Sequence, residues 1–117
     1  MKHEEIAKLT DTQLNELIAL QYGFERSDDG KWMRKSQTSL EPYYCQPFAP
    51  QFTLLWQWTG KLLDKMTDAS ERVTLSYYYE DQPEDGWYIF STYKSLSISC
   101  NKSTNRAISE AYAVMFC

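Results

Sequence analysis

The segment from Val73 to Phe90 constrains the fold of this chain more than any other. Its two flanks, Val-Thr-Leu-Ser-Tyr-Tyr-Tyr and Trp-Tyr-Ile-Phe, are rich in β-branched and aromatic residues, which is typical of strands. Between them lies the acidic stretch Glu80-Asp81-Gln82-Pro83-Glu84-Asp85-Gly86, whose Pro, Asp and Gly favour a chain reversal. The pattern predicts a β-hairpin that places many rings on a sheet and four carboxylates at its tip.

Two further stretches predict strands. Downstream of the hairpin, Leu96, Ile98 and Cys100 alternate with serines, and this period of two is typical of a half-buried third strand. Upstream, Phe24-Glu25-Arg26 and Trp32-Met33-Arg34 flank an Asp-Gly pair that favours a tight reversal. We interpret the upstream stretch as a short hairpin or as a single extended segment.

The first helix is predicted from about Asp11 to about Gln21, with Ile6 and Leu9 adding a preceding turn. Leu14, Leu17 and Ile18 fall on one face of this helix at i, i+3, i+4 spacing. Thr10 followed by Gln13 has the spacing of a capping box, and Gly23 stands where a left-handed residue ends a helix.

The stretch from Ser36 to Pro50 is predicted to be a loop, because its prolines are incompatible with a helix or a central strand. A second helix is predicted to open after it, near Pro50 and Gln51. Its apolar positions are so numerous that we expect burial on more than one side; they are Phe52, Leu54, Leu55, Trp56, Trp58, Leu62, Leu63 and Met66. Gly60 in its middle suggests close contact with another backbone. A third helix, Asn105 to Phe116, follows a cap at Ser103 or Thr104.

Together these elements predict an α+β fold in the order α-β-α-β-β-β-α. An antiparallel three-stranded meander, with the short N-terminal strand or hairpin, packs with about three helices. At 117 residues the chain is expected to form a single domain, residues 1–117, with a core that needs no disulfide or metal.

Composition excludes several classes of function. The net charge is −4 and no run of Lys and Arg exists, so direct nucleic-acid binding is not expected. No apolar stretch reaches the ~20 residues of a spanning helix, and the N-terminus has no signal-peptide pattern, so a cytoplasmic protein without membrane contact is predicted. The three cysteines, without a C-x-x-C pair, are expected to be reduced thiols.

The residue inventory also argues against catalysis and metal binding. His3 is the only histidine and is expected at the surface near a terminus, which leaves no Ser-His-Asp or Cys-His arrangement. Metal-ligand spacings and glycine-rich phosphate loops are absent from the sequence. We therefore expect that the protein is not an enzyme and that it has neither a cofactor nor a metal site.

The predicted binding residues lie in the hairpin; they are Glu80, Asp81, Glu84, Asp85, Tyr78, Trp87 and Tyr88. Rings with polar tips beside carboxylates suit a protein interface, and an acidic surface suits a partner with a basic one. Three alternatives stay open. The rings can instead fill the core, a small charged signal molecule can bind Arg34, Lys94 or Arg106 beside a Tyr, and an exposed aromatic face can form a homodimer.

Three local patterns resemble the phage ABA-sandwich domain, a family of small proteins encoded by bacteriophages and prophages. The first is the amphipathic helix that ends at Gly23-Phe24, and the second is Pro47-Phe48-Ala49-Pro50-Gln51-Phe52-Thr53-Leu54-Leu55-Trp56, a Pro-aromatic loop that runs into a helix with a Trp. The third is the closing helix, Arg106-Ala107-Ile108-Ser109-Glu110-Ala111. These patterns cover nearly the whole chain.

The resemblance implies a phage-encoded accessory protein that acts inside the bacterial host without being part of the virion. By analogy with other small phage proteins, it favours a non-enzymatic inhibitor that binds a host protein with a basic surface. A bacterial defence complex such as a CRISPR effector subunit has the required positive channel, so an anti-CRISPR-like role is expected. The alternatives are a module that sequesters a small molecule or nucleotide signal, and a structural phage protein.

Overall fold

The structure is a computed structural model that describes residues 2–34, 44–70, 72–78, 86–93, 96–99 and 103–117. Its helices are α1 (His3–Ala7), α2 (Asp11–Tyr22), α3 (Trp56–Ala69) and α4 (Thr104–Phe116). Its strands are β1 (Glu25–Arg26), β2 (Trp32–Arg34), β3 (Tyr44–Gln46), β4 (Val73–Tyr78), β5 (Gly86–Ser91) and β6 (Leu96–Ser99). The predicted α+β class is confirmed.

Helix α2 begins and ends where its sequence signals place it. The Thr10 Oγ1 accepts a hydrogen bond from the Gln13 amide at 3.1 Å, and the Gln13 Oε1 accepts one from the Thr10 amide at 2.9 Å. This reciprocal pair is the predicted capping box. Gly23 ends the helix with a φ of 110°, in the left-handed region that favours glycine.

The strands form two antiparallel sheets rather than one. The sheet β4-β5-β6 is the predicted meander, and its register pairs Leu75 with Ile89 and Ile89 with Ile98. The other sheet, β1-β2-β3, extends the predicted N-terminal hairpin by one strand. That strand, β3, lies in the stretch we expected to be an irregular loop, and its place at the sheet edge is one that neighbouring prolines tolerate.

Helix α4 is the centre of the molecule. It contacts α1, α2, α3 and β5, and every side chain from Asn105 to Ala113 is buried. The buried apolar residues of the described ranges form a single cluster that joins α4 to Ile6, Leu14, Ile18, Leu62 and Ile89. Four polar or charged residues of this helix, Asn105, Arg106, Ser109 and Glu110, are buried with them, and each needs a hydrogen-bonding partner inside the protein.

Helix α3 begins at Trp56, five or six residues later than predicted. Pro50 to Leu55 form a turn in which the Gln51 carbonyl accepts from the amides of Leu54 and Leu55. The Phe52 carbonyl accepts from the hydroxyls of Thr59 at 2.6 Å and Ser109 at 3.0 Å. These two hydroxyls satisfy the Phe52 carbonyl in the turn that precedes the helix, which starts at Trp56.

Gly60 lies in the interior of α3. The expectation that it closely contacts another backbone is wrong. A Cβ built at this position meets nothing within 4 Å. The glycine is therefore not required there by packing among the described residues.

Candidate functional site

The acidic turn predicted to bind a partner lies outside the described residues. This applies to Glu80, Asp81, Glu84 and Asp85, and also to Lys94, one of the cations considered for a small charged ligand. The backbone of Tyr78 pairs with that of Gly86 at the end of the described hairpin.

The other two predicted binding residues lie on β5. Trp87 is half-buried and packs against the core cluster, and Tyr88 is half-buried as well. Ile89 is buried while its neighbour Phe90 is 41% exposed, so the two faces of this strand differ as the alternation predicts. Trp87 thus contributes to the core, as the alternative interpretation of the rings requires.

Four large apolar side chains of residues 48–56 are exposed instead. Leu54 is 65% exposed, Trp56 57%, Phe48 49% and Leu55 40%. Three of them belong to the set that the sequence placed on a helix buried on more than one side, and that expectation is wrong. Leu54 and Leu55 belong to the turn at Pro50–Leu55 rather than to a helix, and Trp56 is the first residue of α3. We call these four residues the apolar ridge.

A groove of about 420 Å³ lies on one side of the apolar ridge. Its lining is uncharged and combines rings, one leucine and three primary amides, from Tyr44, Gln46, Phe48, Gln51, Leu55, Gln57 and Trp58. The Tyr44 hydroxyl donates to the Phe48 carbonyl at 2.7 Å, and burial raises the pKa of Tyr44 to about 12. The hydroxyl therefore stays protonated as a donor, and we call this space the amide groove.

A second groove, of about 310 Å³, is also lined by Phe48, together with Leu54. The first turn of α2 lines it with Asp11, and β2 lines it with Trp32, over which the Arg26 guanidinium sits 5.6 Å from the ring centroid. It therefore carries charges of both signs, unlike the amide groove.

An aromatic cluster extends from the amide groove to α2. Tyr44 and Trp58 meet edge to face with centroids 5.5 Å apart, and Phe24 contacts both, at 5.3 and 6.0 Å. Tyr22 follows at 6.0 Å from Phe24. Such tilted and edge-to-face contacts are the favoured geometry of packed rings, and we call this cluster the aromatic wall.

Three cations lie on this aromatic wall. The Lys65 Nζ is 4.1 Å from the Tyr22 centroid and the Arg34 guanidinium 4.8 Å from it, while the Lys61 Nζ is 5.1 Å from the Trp58 centroid. Within the described residues, no carboxylate lies within ion-pair distance of any of the three. We call Arg34, Lys61 and Lys65 the cationic strip.

A buried ion network joins α1, α2 and α4. The Arg106 guanidinium donates to the Asp11 carboxylate at 2.8 Å and to the carbonyls of Leu9 at 2.7 Å and Ile6 at 3.3 Å. Its Nε is 3.5 Å from Glu110 Oε2, although this oxygen accepts no hydrogen bond within the described part of the chain. Arg106 is therefore a structural cation and is not available to a small ligand.

Glu110 is the second buried member of this network. Burial raises its pKa, and the nearby charges of Arg106 and His3 oppose that rise. His3 is half-buried rather than at the surface as expected, with its Nε2 3.6 Å from Glu110 Oε1. The arrangement ties the N-terminal helix to the core, which is a structural role.

A second polar cluster holds the turn that carries the ridge. The Asn105 side-chain amide donates to the Leu54 carbonyl at 3.2 Å and to the Thr59 hydroxyl at 2.9 Å. The Asn15 side-chain oxygen accepts from the Thr53 amide at 3.1 Å. Buried groups from α2, α3 and α4 thus satisfy the backbone of this turn, so the exposed side chains stand on a rigid base.

In the described ranges, no three His, Cys, Asp or Glu side chains are grouped closely enough to hold a metal ion. None of the helices described has the length and the apolar character that crossing a bilayer demands. No family model, curated protein or solved structure matches this chain.

Proposed function

We propose that this protein acts by binding another protein and performs no chemistry of its own. The observation that supports the proposal is the apolar ridge of Phe48, Leu54, Leu55 and Trp56. At about 200 Å² for a large apolar side chain, these exposed fractions leave on the order of 400 Å² of apolar surface in one place. This matches the largest apolar patch of a typical monomer, roughly 300–600 Å², which is often functional.

The chemistry of the ridge also favours a protein partner. Trp and other rings dominate the energetics of protein interfaces when a partner excludes water from them. Phe48 lines both grooves, so a partner segment on the ridge has a concave surface on either side. The rigid turn beneath the ridge reduces the conformational entropy lost on binding.

The biological role we propose follows the family resemblance: a phage-encoded accessory protein that inhibits a host protein, a bacterial defence complex being the candidate. The acidic residues Asp81, Glu84 and Asp85 are then a second contact, suited to a basic part of that complex. The two surfaces make separate predictions and can be tested in one experiment.

The experiment is capture of host proteins on immobilised protein, comparing four forms. Replacing Leu54 and Trp56 by Ser should abolish capture, while Leu20→Ser should leave it intact, because Leu20 is 59% exposed but lines neither groove. Changing Asp81, Glu84 and Asp85 to Lys tests the acidic turn. Capture that survives the loss of Leu54 and Trp56 would refute the ridge as the binding surface.

A second candidate function is sequestration of a small molecule. The amide groove, at about 420 Å³, falls within the size range of ligand pockets, which is roughly 300–1,000 Å³. Thermal-shift measurements against nucleotides and cyclic dinucleotides test this candidate, since a ligand that binds only the folded state raises the melting temperature. An unchanged melting temperature across the panel would argue for the protein partner.

A further inference from the structure

The cationic strip is unusual in a chain whose net charge is −4. Lys61 and Lys65 are exposed and Arg34 is half-buried, yet each rests on a ring rather than on a carboxylate of the described chain. Asp64 and Asp68 lie on the same helix as the two lysines and form no ion pair with them. The three cations are therefore held in place while their charge remains available to an outside anion.

The cationic strip continues the amide groove. Lys61 lies over Trp58, which lines the groove, and Arg34 lies 5.7 Å from the ring centroid of Phe24, which contacts Tyr44 at the groove wall. No residue that lines the groove is acidic, so a ligand that extends from the groove to the cations meets no carboxylate of the lining.

The groove itself suits a peptide. Gln46, Gln51 and Gln57 supply amide donors and acceptors that can pair with an extended backbone, and the rings supply apolar area for a side chain. The exposed Phe48 and Leu55 of the ridge belong to the same wall, so the groove is continuous with the surface proposed to bind protein.

We propose that the amide groove and the cationic strip bind an acidic segment of the partner protein. An apolar side chain of that segment enters the groove and packs against the wall that Tyr44 and Trp58 form, and its carboxylates pair with Arg34, Lys61 and Lys65. This inference rests on the proposed function and specifies the chemistry of the partner at the same site. Charge complementarity with the strip selects an acidic segment over a neutral or basic one.

The ring geometry favours a peptide over single-stranded nucleic acid. Base stacking needs open ring faces, but Tyr22 has both Arg34 and Lys65 over its ring, and the neighbouring rings meet edge to face. Three cations on an acidic protein are also fewer than a phosphate backbone normally engages.

The test is fluorescence anisotropy with a fluorescein-labelled dodecapeptide in which four glutamates flank a Trp-Leu pair. We expect binding at about 50 mM salt that weakens at about 500 mM, since exposed ion pairs are screened. The double variant Lys61→Glu/Lys65→Glu should weaken binding about tenfold or more. The control Lys2→Glu/Lys8→Glu makes the same change of net charge at two exposed lysines away from the groove and should change binding little.

Equal losses in the two double variants would overturn the inference, because the effect would then come from net charge. So would equally tight binding of the same peptide with glutamines in place of glutamates, or of a labelled oligothymidine. If the acidic peptide fails to bind while Leu54→Ser/Trp56→Ser still loses capture of a host protein, the acidic segment is refuted and the proposed function stands. If capture never depends on the ridge, the proposed function itself is refuted.

Discussion

Arg106 is the residue whose loss should most disturb the packing of the N-terminal helix. Its side chain is 7% exposed and binds the carbonyls of Ile6 and Leu9, the carboxylate of Asp11 and the buried carboxylate of Glu110. Arg106→Ala removes the only cation within 4 Å of Glu110 Oε2 in the described chain and leaves two carbonyls without this donor. The variant therefore tests whether the network stabilises the fold.

The expected loss follows from burial. Removing one partner of a buried ion pair typically costs about 3–5 kcal/mol of unfolding free energy, because the remaining charge is left without compensation. The contribution of Asp11 is small, under about 1 kcal/mol, since its side chain is 70% exposed. Against a total stability of roughly 5–15 kcal/mol for a domain, the loss should be plain in urea unfolding.

A double-mutant cycle with Glu110 distinguishes this mechanism from a simple cavity. If the stranded carboxylate causes the loss, Arg106→Ala/Glu110→Ala should be about 2 kcal/mol more stable than the sum of the two single effects predicts. Hydrogen exchange at α1 should rise in Arg106→Ala, because Ile6 and Leu9 lose their link to α4. A loss below about 1 kcal/mol, or strictly additive effects, would refute the reasoning.

Three other predictions concern stability. Burial raises the pKa of Glu110 above its ordinary value of 4.5, so the folded state keeps this proton after the unfolded chain has released it. The free energy of unfolding should therefore fall as pH rises from 4.5 through the raised pKa of the folded state. Glu110→Gln should remove this slope in urea midpoints measured across pH; an unchanged slope would assign it to another group. Gly23→Ala should cost about 1–2 kcal/mol because of its φ of 110°, whereas Gly60→Ala should stabilise by roughly 0.5–1 kcal/mol. Thermal unfolding that shifts the melting temperatures of the two variants in the same direction would contradict this. Asn105→Leu should cost about 1–3 kcal/mol in urea unfolding, since the Leu54 carbonyl and the Thr59 hydroxyl lose a buried donor; a neutral effect would mean that the turn does not depend on it.

Elements whose signals are local could be predicted from the sequence. The capping box of Thr10 and Gln13 and the left-handed Gly23 place both ends of α2, and Ser103, predicted as one of two caps, accepts from the Arg106 amide at the start of α4. The meander was likewise predicted from its alternation, and its register is regular over the described strands. In each case the interacting groups lie within a few residues, or the period of the side chains reveals the buried face.

The candidate binding site could not be predicted in the same way. The sequence placed Leu54, Leu55 and Trp56 on a buried helix because, together with Phe52, Leu62, Leu63 and Met66, they form a broad apolar arc. No local signal marks the observed start of α3, because the helix begins after Leu55 without a side-chain cap. Of the cationic strip, the sequence singled out Arg34 as a candidate cation beside a Tyr, but it gave no sign that Lys61 and Lys65 join it, because β2 and α3 are distant in the chain.

Side-chain spacing and caps are sufficient to specify an α+β chain with a capped helix, a hairpin and a closing helix, because the forces that set them act between near neighbours. The backbone of the turn at Pro50–Leu55 is instead held by Asn105 and Ser109 of α4, whose side chains donate to the carbonyls of Leu54 and Phe52. The enclosure of Arg106 depends likewise on Ile6 and Leu9, about a hundred residues away. Such contacts exist only once the helices have packed, since a buried carbonyl or charge takes whichever partner the assembled core brings within hydrogen-bonding distance.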